Sequence, residues 1–202
     1  MPSKSNFTPA AERILDTAEK LVQSRGFNGF SYADIARELD VTKASLHYHF
    51  PSKEQLGRAL IVRYEAAFAQ ELGAIRQQVS EAPERLRRYV KLYDAVLRND
   101  RVCLCGMLAA EYVTLPGAMQ VQLRRFFRSN ERWLAAVLEE GRAAGRLFFE
   151  GSARERAGVL LGALEGTMLV GRSYSDSRLF RSTAKRLLAD LTNDGAAKPS
   201  RP

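Results

Sequence analysis

The chain has 202 residues, a net charge of +8 and a 46% apolar fraction, the composition of a globular protein and not of a disordered one. Its two cysteines, Cys103 and Cys105, exclude a disulfide scaffold and fit a reducing cytoplasm. The polar stretch from Met1 to Arg13 has no signal-peptide core, and the apolar run 157–171, broken by Glu165, is too short to span a bilayer, so no membrane partner is expected. The positive charge is unevenly spread. Residues 1–65 carry a net +1 and residues 66–202 a net +7.

Helical periodicity runs through nearly the whole chain, which predicts an all-α fold. Thr8 and Pro9 open a first helix whose apolar positions are Ile14, Leu15, Ala18, Leu21 and Val22, and Gly26 stops it. Ser31, with Asp34 three residues on, starts a second helix with Ile35, Ala36 and Leu39 on its apolar face. After the turn Asp40–Val41–Thr42, Thr42 caps a short third helix, Lys43 to His49, halted before Pro51. Ser52 and Gln55 start a long helix to about Gln78. Further helices are predicted at about 84–99, 103–113, 117–144, 153–173 and 177–191. Residues 192–202, rich in small residues, Lys, Pro and Ser, read as a disordered tail.

Residues 31–56 carry the sharpest pattern: two short helices around a tight turn, the geometry of a helix-turn-helix that lays its second helix in the major groove of DNA. Lys43, Ala44, Ser45 and His47 lie near the amino end of that helix, suited to base edges or the thymine methyl. Thr42, Tyr48 and Lys53 are placed for phosphates. No acidic residue occurs from Val41 to Lys53. Ser31, Tyr32 and His49 complete the expected DNA-binding set.

The run Thr42-Lys43-Ala44-Ser45-Leu46-His47-Tyr48-His49-Phe50-Pro51-Ser52-Lys53-Glu54-Gln55-Leu56 resembles the recognition helix and following linker of TetR/AcrR-type repressors. Ala18, Phe27, Ser31, Ile35, Ala36 and Val41 match the same pattern. His47 stands where the family usually has tyrosine, a departure that bears on base preference. The resemblance implies a helix-turn-helix domain over 8–52 and a larger helical ligand-binding and dimerisation domain over 53–191. It implies a homodimer on double-stranded operator DNA, released by an inducer.

In the second half, aromatic and sulfur side chains recur among long amphipathic helices. Tyr64, Phe68, Tyr93, Met107, Phe126, Trp133 and Met168 are candidates to line an apolar cavity, with Glu111 as a polar contact. Tyr89, Tyr112, Phe127 and Glu165 belong to the same set, although each of these types is more often core or solvated edge. Cys103 and Cys105, two apart on a helix, point about 200° from each other, so they are not expected to bridge and one is expected to be less buried. Residues 103–112 resemble the effector domain of the N-ethylmaleimide reductase repressor branch of that family, where the residue at the place of Cys103 senses electrophiles. Upstream Arg98 and Arg101 favour a thiolate. The implied inducer is therefore small and either apolar or electrophilic.

Gly158, Gly162 and Gly166 recur every four residues. Glycine is costly within a helix, so close approach of another backbone is the expected reason. The resemblance implies that the last two long helices pair between two copies, so with Leu179 and Leu187 on the last helix these glycines are the candidate dimer interface, close packing within one chain being the alternative. The histidines fall in the recognition region, far from Cys103, and no metal cluster, Walker loop or dinucleotide fingerprint is present, so neither an enzyme nor a cofactor is expected. A constitutive DNA-binding protein that senses nothing is the other alternative, which the large second half disfavours.

Overall fold

The computed structural model describes residues 7–192, and their regular structure is entirely helical. The helices are α1 (Pro9–Arg25), α2 (Tyr32–Leu39), α3 (Lys43–His49), α4 (Lys53–Gln78), α5 (Ala82–Leu97), α6 (Leu104–Ala110), α7 (Gly117–Ala143), α8 (Ala153–Ser173) and α9 (Arg178–Thr192), with a 3-10 turn at Tyr112–Thr114. Thr192 closes α9, and the remainder of the expected tail, 193–202, lies outside the described residues. No described helix is long and apolar enough to cross a membrane.

The chain packs as two compact units that are not contiguous segments. One holds the described residues up to Ala66 together with Leu104–Arg124. The other holds Ala67–Cys103 together with the described residues from Arg125 onward. The segment after Cys103, read from sequence as part of the effector half, thus counts with the amino-terminal helices.

In the first unit, local capping sets the helix ends. The Thr8 hydroxyl accepts the Ala11 N–H at 3.3 Å, and the Gly26 N–H closes α1 on the Val22 carbonyl at 2.9 Å. Ser31 donates its N–H and hydroxyl to the Asp34 carboxylate, both at 2.8 Å, while Thr42 Oγ1 accepts the Ser45 N–H at 3.2 Å. Asp40 takes the left-handed conformation (φ 54°) that turns α2 into α3, one that aspartate tolerates better than most residues. Ile14, Leu15, Ala18, Val22, Ile35 and Leu46 are buried in the shared core. Arg63 of α4 reaches three carboxylates of α1, Glu12 at 2.8 Å, Asp16 at 2.7 Å and Glu19 at 2.7 Å. This charge-assisted set fixes α4 against α1 at the root of the helix-turn-helix.

In the second unit α8 packs on α9, and α5 packs on both. Leu86, Tyr89, Tyr93, Phe126, Leu134, Leu138, Leu160, Leu164, Met168 and Phe180 are buried. The Ser152 hydroxyl accepts the Glu155 N–H at 3.1 Å and starts α8. Gly171 is a glycine that packing within the chain requires, since an added Cβ would meet the Asp176 carbonyl oxygen at 2.9 Å.

Two expectations need correction. The helix read over 103–113 ends at Ala110 because Glu111 leaves helical geometry and its carboxylate turns to the loop after α1. Cys103 and Cys105 are both buried, at 1% and 0% exposure, where one was expected to be less so. Their neighbours Val102, Leu104 and Gly106 are buried as well, so 102–106 has no solvent face.

Candidate functional site

The residues from Thr42 through α3 are mostly exposed. Thr42, Lys43, Ala44, His47 and Tyr48 are exposed, Ser45 is half-buried, and Leu46 alone anchors α3 with 0% exposure. Tyr48 is 84% exposed although aromatic, and its ring meets His49 edge-on at 5.1 Å. Its ring therefore lies on the outer face of α3, largely in solvent. The His47 Nδ1 lies 3.3 Å from the Pro51 carbonyl, which orients the imidazole beside α3.

Two residues expected on that surface are turned inward. Tyr32 is buried and donates its hydroxyl to the Phe50 carbonyl at 2.7 Å, with its ring 4.8 Å from that of His47. Burial pushes its phenol up to about 12. Tyr32 therefore braces the end of α3. Lys53 is half-buried, donates to the Phe30 carbonyl, and places its ammonium 4.7 Å and 4.4 Å from the ring centres of Phe27 and Phe30. Burial lowers its pKa. It joins the start of α4 to the α1–α2 loop, and its ammonium is not extended toward solvent. Ser31 stays exposed but spends its hydroxyl on Asp34, whose carboxyl those Ser31 bonds and Arg37 hold down at about 2.

The expected cavity-lining residues divide between the two units. Tyr64, Met107 and Glu111 belong to the first. Glu111 turns to backbone amides there. Its Oε2 accepts the Phe27 N–H at 2.6 Å and its Oε1 the Asn28 N–H at 3.1 Å. Met168 is buried in the second unit and lines a groove with Leu97 and Val102.

Phe68, Tyr93, Phe126 and Trp133 do come together, joined by Tyr89. Phe68 meets Tyr89, Tyr93 and Phe126 edge-on at 6.1, 5.8 and 5.5 Å, and Trp133 stacks on Tyr89 at 5.5 Å and 18°. A polar seam runs through the rings. The hydroxyls of Tyr89 and Tyr93 are 3.0 Å apart, Tyr89 donates to Asn130 Oδ1 at 3.2 Å, and Asn130 Nδ2 donates to the Phe126 carbonyl at 3.0 Å. Glu165 hydrogen-bonds with both Cys103 and Tyr93, and burial pushes its carboxyl up to about 7. Cys103 thus neighbours a carboxyl that is about half ionised near pH 7, while Arg98 is engaged with Asp94 at 2.9 Å. Two buried polar atoms here, Trp133 Nε1 and Glu165 Oε1, have no hydrogen-bond partner among the described residues. Asn130, a buried amide, was not singled out from sequence. Its signal is only its place one helical turn after Phe126.

Gly158, Gly162 and Gly166 follow one face of α8, with the exposed Val159 and Val170 beside them. A Cβ at Gly162 or Gly166 would meet nothing within 4 Å. Close packing inside the chain therefore does not account for these two glycines. Leu179 and Leu187 of α9 are half-buried.

A family model described as "Bacterial regulatory proteins, tetR family" matches residues 14–60. A TetR-family transcriptional regulator from Agrobacterium tumefaciens is 34% identical, with a TM-score of 0.88, over 91% of this chain and 98% of that one. A TetR transcriptional regulator from Legionella pneumophila is 33% identical, with a TM-score of 0.81, over 93% of this chain and 100% of that one. The HTH-type transcriptional repressor NemR of Escherichia coli (strain K12) is 28% identical over 186 residues, 88% of this chain and 93% of that protein.

Proposed function

The chain belongs to the TetR family of bacterial transcriptional regulators, and from that footing we propose that it is a homodimeric repressor released from its operator by a small apolar or electrophilic molecule. The α3 surface of Lys43, Ala44, Ser45, His47 and Tyr48 reads DNA, with Thr42 at a phosphate. The glycine face of α8, with α9, joins two copies.

The observation that carries the sensing half of this reading is the pair of unpartnered polar atoms, Trp133 Nε1 and Glu165 Oε1, buried among five aromatic rings. A buried polar group without a partner costs about 1–3 kcal/mol, and a ligand offering one donor and one acceptor recovers that cost. Apolar walls with a few convergent polar groups are the usual make-up of a small-molecule site.

Cys103 gives the same site a covalent route. As its sulfur adds to the alkene carbon of a maleimide or quinone, the thiol proton passes to the adjacent Glu165 carboxylate and then to the enolate of the adduct. No bond breaks other than S–H and the alkene π-bond, and no oxidant is consumed. The adduct enlarges a side chain that is 1% exposed, and overpacking a buried position strains its surroundings. Cys103 immediately precedes α6, and Glu111, which holds the loop after α1, immediately follows it. A shift of α6 is the path by which the strain reaches the DNA-binding helices.

The test is DNA-shift titration of wild type and Cys103→Ser with and without N-ethylmaleimide, with the adduct mapped by mass spectrometry. Treated wild type is expected to lose about 5–150-fold in affinity, the usual range of allosteric coupling, and Cys103→Ser to be spared. Equal loss in both proteins removes Cys103 as sensor. No loss in either leaves reversible ligands at the aromatic cluster as the inducers.

A further inference from the structure

A groove between α5 and α9, unused by any of the roles above, has the form of a second ligand site. It encloses about 470 Å³, within the range of about 300–1,000 Å³ typical of small-molecule pockets. Its floor is apolar, made by Val90 of α5 and by Phe180, Ala184 and Leu188, which follow one face of α9. Its rim is cationic on both sides, with Arg87 and Lys91 on α5, Arg98 just after it, and Arg181 and Lys185 on α9.

The rim charges are not all compensated. Asp94 is the one acidic residue of the lining, and it is already held by Arg98 at 2.9 Å and Arg181 at 2.7 Å. Arg87 pairs with Glu84 at 2.6 Å. Lys91 and Lys185 are exposed, one on each wall; Lys91 is close enough to Glu84 to help hold that carboxyl down, but neither lysine forms an ion pair with a described residue. The surplus positive charge of the chain also falls after residue 65. An apolar floor beneath two unpaired ammonium groups matches an apolar body that ends in an anion.

We propose that the α5–α9 groove binds an aliphatic carboxylate, its chain on Val90, Phe180 and Leu188 and its head between Lys91 and Lys185. The site is separate from the cluster around Cys103. Leu187, assigned to the dimer interface, does not line it.

The probe is dodecanoate, titrated below its micellar range into the full chain by calorimetry, beside dodecanol, dodecyltrimethylammonium and acetate. Saturable binding of one dodecanoate per chain is expected. It should weaken about tenfold or more for each of the other three probes and in the Lys91→Glu/Lys185→Glu double variant, and should fall as salt rises, as a partly exposed ion pair requires. Both lysines are solvent-exposed, and an unchanged melting curve verifies that the variant is folded. Cys103→Ser should bind dodecanoate as wild type does, whatever becomes of the electrophile response. Equal affinity for dodecanol, or full affinity in the double variant, overturns the proposal. So does absence of binding. If that absence comes with lysines shielded from acetylation only in the dimer, a second copy covers the groove instead.

Discussion

The carboxylate of Glu111 holds the peptide N–H of Phe27 at 2.6 Å, and a second bond to the Asn28 N–H at 3.1 Å fixes the same loop. The two partners are 84 and 83 residues away in sequence, and they join the end of α6 to the turn that launches the helix-turn-helix. Gly26 precedes them at φ +84°, and a Cβ there would sit 2.7 Å from Glu111 Oε1. The carboxylate thus occupies space that only glycine leaves open. Glu111→Ala is expected to lower stability by about 1–3 kcal/mol, chiefly by stranding the Phe27 amide, since the exposed Asn28 amide can turn to water. Urea denaturation with an unchanged midpoint would contradict this.

DNA affinity should depend on the exposed outer residues of α3 and not on the inward ones. Lys43→Ala and Tyr48→Phe are each expected to weaken operator binding by about 1–3 kcal/mol, with the Lys43 variant also lowering the salt dependence by about one ion if it meets a phosphate. Tyr32→Phe removes a buried bond to the Phe50 carbonyl. It should cost about 0.5–1.5 kcal/mol of stability and leave the salt dependence of binding as in wild type. Footprints at several salt concentrations on a palindromic site, its half-sites about 34–36 Å apart or a multiple of that, separate the two classes.

The dimer prediction rests on glycines that face open space within one chain. Gly162→Leu should separate two α8 backbones and cost about 1–3 kcal/mol through overpacking. Sedimentation is expected to show dimer for wild type and monomer or aggregate for the variant. Wild type running as a monomer at micromolar concentration would refute the assignment of α8.

Glu165 predicts a pH dependence of stability. Its carboxyl titrates at about 7 when folded, against an ordinary value of 4.5. Because the folded value is raised, the stabilisation is complete below 4.5, declines as pH rises from there to about 7, and is lost above. Glu165→Gln should remove that decline and leave the protein more stable than wild type at pH 8, by about 1–3 kcal/mol. Parallel melting-temperature profiles for the two proteins between pH 5 and 8 would show that Glu165 is not the titrating group.

The capping of α1 to α3 was readable because each signal is local. Ser31 meets Asp34, Thr42 meets Ser45, and Gly26 ends α1, all within four residues. Glu111 was not readable, since nothing near it in sequence shows that its partner is the backbone at 27 and 28. The amphipathic pattern through Tyr112 predicted more helix for the same reason. Tyr32 and Lys53 carry polar ends on long apolar bodies, and only the packed loop decides whether those ends reach solvent or a carbonyl. The aromatic cluster was legible as a set of types. Its polar seam was not, because Asn130 and Glu165 gain their meaning from Tyr89, Tyr93 and Cys103 on other segments.

Trp133 is the sole indole in the chain, and it stacks on Tyr89 within the aromatic cluster. The protein therefore carries an optical gauge at the place where an inducer is expected to act. Light absorbed near 295 nm excites that single ring, so its emission reports on one location without the averaging that several tryptophans impose. Occupation of the cluster, a change in the charge of Glu165 or loosening of α7 would each register as a shift in intensity or colour, with no label attached and no residue altered.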